Sequence, residues 1–84
     1  MVFPKEPVTL TVAQLEALSL KLSHMRHEIN NNLSLINAAV ELMRLKPEML
    51  EKMIGHLADQ PSRMKKAVDQ FSAEFEQTFG ITRP

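Results

Sequence analysis

The stretch LKPEM, Leu45 to Met49, decides the fold of this 84-residue chain. A proline at position 47 would clash with the preceding turn if a helix ran through it. Proline is nevertheless favoured in a helix's first turn, so one helix ends here and another begins. So short a connection sets the two helices antiparallel. Upstream, Leu15, Leu18, Leu22, Met25, Ile29, Ile36, Val40 and Met43 recur at spacings of about three and four, the pattern of a stripe packed against another helix, with one gap at Asn32. Downstream, Leu50, Ile54, Leu57, Pro61, Met64, Val68, Phe71 and Phe75 repeat the alternation, broken at Pro61. The expected fold is all-α, an antiparallel two-helix hairpin.

The ends of the helices carry their own signals. Thr11 is followed three residues later by Gln14, the pairing that satisfies free amides at a helix start, so the first helix begins near Thr11. Gly80 suits the left-handed position at the end of the second. At Pro61 the heptad phase runs on through the proline, which favours a kink in one continuous helix over a split into two. The expected organisation is a loose N-terminal arm over 1–10 containing two prolines, a hairpin over 11–80, and a C-terminal tail over 81–84.

Two helices roughly 45 to 50 Å long cannot bury both stripes against each other alone. A chain this small needs a staple, and with no cysteine it has no disulfide. Self-association remains, and the expected assembly is a homodimeric four-helix bundle. The six methionines fall mostly on the apolar stripes and read as core filler.

Composition narrows the function. Ten basic and ten acidic residues leave no formal net charge, and four phenylalanines are the only aromatics, which argues against a nucleic-acid partner. The start, MVFPKEPVTL, has prolines and an acid where a secretory peptide needs an apolar run. No later stretch has the length of a membrane span, so the chain reads as cytoplasmic, with no membrane partner. The lack of cysteine also removes thiol chemistry and thiolate metal sites.

One segment departs from good helix formers. SHMRHEINNNLSLI, Ser23 to Ile36, places three asparagines in a row inside the first helix, a concession of roughly 1 to 2 kcal/mol relative to alanine. At about 100° per residue, His27 lies opposite the Met25–Ile29 stripe and is predicted exposed, with Asn31 on the same outer face. Glu28 and His24 fall on the flanks, within reach of the second helix. An exposed neutral imidazole is a competent nucleophile near neutral pH, and an adjacent carboxylate can hold one ring nitrogen protonated while the other presents its lone pair. Asn31, one turn on, could place a water or a phosphoryl oxygen beside it. His24, followed by methionine where an acid is wanted, is the weaker nucleophile candidate, and His56 reads as surface. His24, His27 and Glu28 cannot converge on one metal ion from adjacent faces of one helix.

On these residues the chain resembles a known family. HEINNNLSLI, His27 to Ile36, looks like the phosphoacceptor box of sensor histidine kinases: a histidine, an acid, two variable residues, Asn or Thr, usually proline, then leucine. The box lies on the first of two long helices, as in that family's dimerisation and histidine phosphotransfer domain, and the similarity spans roughly residues 11 to 79. The resemblance implies that His27 is the phosphorylated residue and Glu28 the acid that assists it. It implies for Asn31 a part in phosphatase chemistry and in contact with the catalytic domain. Leu33 matches the leucine, and Asn32 stands where proline is usual. The expected partner contacts are Asn30, Ser34 and Arg63, the last within a basic cluster with Lys65 and Lys66 suited to an acidic pocket.

The chain has no room for a glycine-rich ATP-binding domain, so no cofactor is expected. Its phosphate would come from a response-regulator receiver domain or a separate kinase ATP-binding domain, unless the sequence is a piece of a longer kinase. The alternative is a non-catalytic homodimerisation or docking module derived from such a kinase.

Overall fold

A computed structural model describes residues 1–83. In chain order it contains α1 (Val12–Leu45), a 3-10 turn (Pro47–Met49), α2 (Leu50–Ala58) and α3 (Gln60–Phe79), and no strand among the described residues. Together these form a helical hairpin, with α1 packed against α2 and α3.

The local signals act where the sequence puts them. The Thr11 hydroxyl oxygen accepts from the Gln14 N–H at 3.1 Å, and Gln14 Oε1 accepts from the Thr11 N–H at 2.8 Å, so two free amides are satisfied reciprocally. Lys46 leaves the helical region at φ −134°, ψ 83°, as a residue before proline must, and Pro47 opens the turn. At the far end Gly80 adopts φ 67°, the Ile81 N–H reaches the Glu76 carbonyl at 2.8 Å, and the Gly80 N–H reaches that of Gln77 at 3.4 Å. This paired closure satisfies the last carbonyls of α3.

The second helix is not one kinked rod. It divides at Asp59, because Pro61 has no N–H to give the Leu57 carbonyl. Asp59 keeps helical angles (φ −83°, ψ −19°), so the interruption is one residue long and the hairpin arm continues in direction. Within it, Gln60 Nε2 donates to the His56 carbonyl at 3.3 Å.

The packing seam is displaced from the expected stripe. On α1 the inward positions include Leu18, Leu22, Met25, Ile29, Asn32, Ile36 and Ala39, and on the return arm Met53, Leu57, Gln60, Met64, Ala67 and Phe71. Val40, Leu50, Ile54, Pro61, Val68 and Phe75, all placed in the stripe by their spacing, are exposed, as is Leu15. The chain carries two adjoining apolar rows per helix. The seam takes the row with small residues, Ala39 and Ala67, because these let the two backbones approach. Asn32, the gap in the α1 stripe, is the most buried of the polar residues at 3% exposure.

The result is a flat object, 58 × 28 × 13 Å. Its thickness is close to the about 10–12 Å diameter of one helix, so it is a single layer. The radius of gyration is 18.1 Å, against about 12 Å for a compact domain of this length. No side chain among the described residues is less than 2% exposed.

The N-terminal arm is exposed up to Thr9 but does not hang free. Val2 and Thr82 form an antiparallel bridge, Val2 N–H to the Thr82 carbonyl at 2.6 Å and Thr82 N–H to that of Val2 at 2.9 Å. Arg83 pairs with Glu76 alongside. Among the described residues no helix is long and apolar enough to cross a membrane.

Candidate functional site

His27 is exposed on α1, and so are Asn30, Asn31 and Ser34. Rotation of about 100° per residue carries His27 roughly 180° away from the seam, on the outer edge of the layer. The three asparagines therefore separate: Asn30 and Asn31 face out, while Asn32 turns in and leaves its Nδ2 without a hydrogen-bond partner.

Glu28 is half-buried and lies not against the His27 ring but in a cleft between α1 and α3. It shares that cleft with His24, Arg63, Lys66, Ala67 and Gln70. Consecutive side chains on a helix diverge by about 100°, and here the Glu28 carboxylate follows its own direction toward the cleft. Among the described residues, His27, Glu28 and Asn31 make no side-chain hydrogen bond or ion pair. The imidazole edge is thus open to an incoming group, and any orientation of the ring by Glu28 must arise when a partner is present.

The basic cluster divides as well. Arg63 and Lys66 line the cleft with His24 and Glu28. Lys65 lies outside that cleft, shares an outer groove of α3 with Lys66, and is held by Asp69 at 2.6 Å. Among the described residues there is no group of three or more histidine, aspartate or glutamate side chains placed to hold a metal ion.

Two features were not anticipated. Gln60 is buried at 7% exposure with Oε1 unpaired. Its place three residues after Leu57 and four before Met64 is the seam spacing, but the neighbouring Pro61 drew the expected stripe one position along. Opposite the break at Asp59 there is an apolar hollow floored by Leu35, Ala39, Leu42, Met53 and Leu57, with Gln60 in its wall. It exists because the interruption in the second arm faces the small Ala38 and Ala39 on α1.

Comparison of the chain with protein-family models, with curated proteins and with solved structures finds no match.

Proposed function

We propose that the chain is a cytoplasmic histidine phosphotransfer domain that acts as a homodimer, with His27 as the phosphoryl carrier. The observation that carries this reading is an open imidazole at the outer edge of a long helix, followed in sequence by the residues that resemble a phosphoacceptor box. In the proposed step one nitrogen of the neutral His27 ring attacks the phosphorus of an aspartyl phosphate on a receiver domain. The P–O bond to the carboxyl group breaks, the carboxylate leaves with the bonding electrons, and an N–P bond forms. Glu28 takes or returns the proton on the other ring nitrogen once the partner has closed over the site, and Asn31 positions a phosphoryl oxygen or a water. The reverse step returns the phosphoryl group, and a separate kinase is the other source. Asn30 and Ser34, on α1 beside His27, serve as partner contacts, and Arg63 contributes to partner binding from the α1–α3 cleft.

The dimer rests on shape and surface. Leu33 and Val40 on α1 are exposed, as are Ile54, Pro61, Val68 and Phe75, which repeat every seven residues along the return arm. Helical rotation puts both rows on the same side of the layer, away from the His24–Arg63 cleft. The accessible surface is 6685 Å², whereas a compact chain of this size exposes about 5,100 Å². The difference exceeds the roughly 800 Å² per partner of a standard interface. The same face supports the second reading, a dimerisation module in which His27 has no chemistry.

The deciding experiment is incubation with receiver domains carrying a radiolabelled phosphoryl group, read as acid-labile label on the chain. Transfer to wild type and His24→Ala but not to His27→Ala is the expected result. A folded dimer that takes no label from any receiver overturns the phosphotransfer reading and leaves the module.

A further inference from the structure

The cleft between α1 and α3 holds more hydrogen-bond donors than the chain itself uses. Arg63, Lys66 and Gln70 approach it from α3 and His24 and Glu28 from α1, over the small buried side chain of Ala67. Three cations elsewhere on the surface pair with a carboxylate: Arg44 with Glu41 at 3.7 Å, Lys65 with Asp69 at 2.6 Å, and Arg83 with Glu76. Arg63 and Lys66 form no ion pair among the described residues, although Glu28 lines the same cleft. The cleft thus presents a guanidinium fork, an ammonium, an amide NH₂ and a ring N–H, with a single carboxylate acceptor.

We propose that this cleft is a reversible binding site for a phosphate-class oxyanion. A tetrahedral oxyanion offers several acceptors at once, which suits donors converging from two helices, and the Arg63 fork matches two of its oxygens. Glu28 selects among such anions. Near pH 6.5 every inorganic phosphate ion carries at least one proton, and its P–OH donates to the Glu28 carboxylate. Sulfate is fully ionised at that pH and meets Glu28 only as a like charge. The site needs no covalent chemistry at His27, so it does not depend on the phosphotransfer reading.

The test is an amide-resolved NMR titration of the full chain with inorganic phosphate and with sulfate at constant ionic strength and pH 6.5. Saturable millimolar binding of phosphate is expected, with shifts centred on residues 24–28 and 63–70. Sulfate should bind roughly tenfold more weakly, the loss expected for one hydrogen bond to a charged group. The double variant Arg63→Gln with Lys66→Gln should lose the phosphate response while keeping its helical circular dichroism, since both side chains are exposed. Glu28→Gln should bind the two anions alike. Non-saturating shifts spread over the surface, equal phosphate and sulfate affinity in the wild type, or a double variant that still binds would each overturn the proposal. Reversible binding is read here, so failure of phosphoryl transfer to His27 leaves the result untouched.

Discussion

Asn32 on α1 and Gln60 on α3 are the two polar residues buried in the hairpin seam, and each leaves one atom unpaired: the donor Asn32 Nδ2 and the acceptor Gln60 Oε1. They are not equivalent. Gln60 recovers part of its cost through Nε2, which donates to the His56 carbonyl beside the helix break. Asn32 has no such return, and a buried donor without a partner costs about 1–3 kcal/mol.

Asn32→Leu is therefore expected to stabilise the hairpin by about 1–2 kcal/mol, since it removes the orphan donor and closes the gap in the stripe. In a domain of this size that raises the thermal midpoint by about 4–8 °C per kcal/mol. Thermal unfolding followed by circular dichroism at fixed concentration measures it. A lower midpoint would mean that Nδ2 has a partner in solution, either a trapped water or the second copy. Gln60→Leu should gain less, because it also gives up the bond to the His56 carbonyl.

The caps at the two ends set a second pair of expectations. Thr11→Ala removes one arm of the reciprocal bond with Gln14 and should cost about 1 kcal/mol. At Gly80 an added Cβ meets nothing closer than Pro4 Cγ at 4.0 Å, so sterics with neighbours are not the issue. The cost of Gly80→Ala is the left-handed φ of 67° itself, about 1–2 kcal/mol. Denaturant midpoints with an unchanged slope would check both, and a Gly80→Asn variant should recover part of the loss.

Pro61→Ala restores an N–H that can reach the Leu57 carbonyl. The new hydrogen bond contributes about 0.5–1.5 kcal/mol, while the unfolded chain regains freedom worth about 0.4–1 kcal/mol. Net stability should barely change. Hydrogen exchange should report the difference instead: amides from Gln60 to Arg63 gain protection as α2 and α3 join. Unchanged protection there would show that something other than the proline holds the break.

These residues also show which parts of the fold could be read from sequence. Thr11 with Gln14, Pro47 and Gly80 are short-range signals whose physics is complete within a few residues, and each acts where it was expected to. The seam was legible only to within one row. A spacing of seven is shared by Ile54–Pro61–Val68–Phe75 and by Met53–Gln60–Ala67, and hydrophobicity favours the first while backbone approach favours the second. Ala39, Ala67 and Gln60 do not announce themselves as core. The Val2–Thr82 bridge was invisible because its partners are at opposite ends of the chain and carry no pairing pattern. At the site, helical rotation correctly placed His27 outward and His24 and Glu28 on the flank. Adjacency in sequence grouped Lys65 with Arg63 and Lys66, whereas in the fold Lys66 lines both the cleft with Arg63 and an outer groove with Lys65.

The row left over from the seam carries the last prediction. Ile54, Val68 and Phe75 remain 53%, 42% and 38% exposed, and Leu33 and Val40 across from them 44% and 42%. Fully burying side chains of this kind contributes about 1.5–3 kcal/mol each, and in a two-fold dimer every residue counts twice. The wild type should sediment as a dimer whose thermal midpoint rises with concentration. Val68→Asp would bury two carboxylates near each other at that interface and should weaken the dimer by at least about a hundredfold. Gln70→Ala, on the opposite side of α3 facing the His24 cleft, should leave it intact. A wild type that sediments as a monomer with a concentration-independent midpoint would reject the dimer. The chain would then have to be stable as a single layer with its apolar row in water, which the absence of any fully buried side chain among the described residues makes physically difficult.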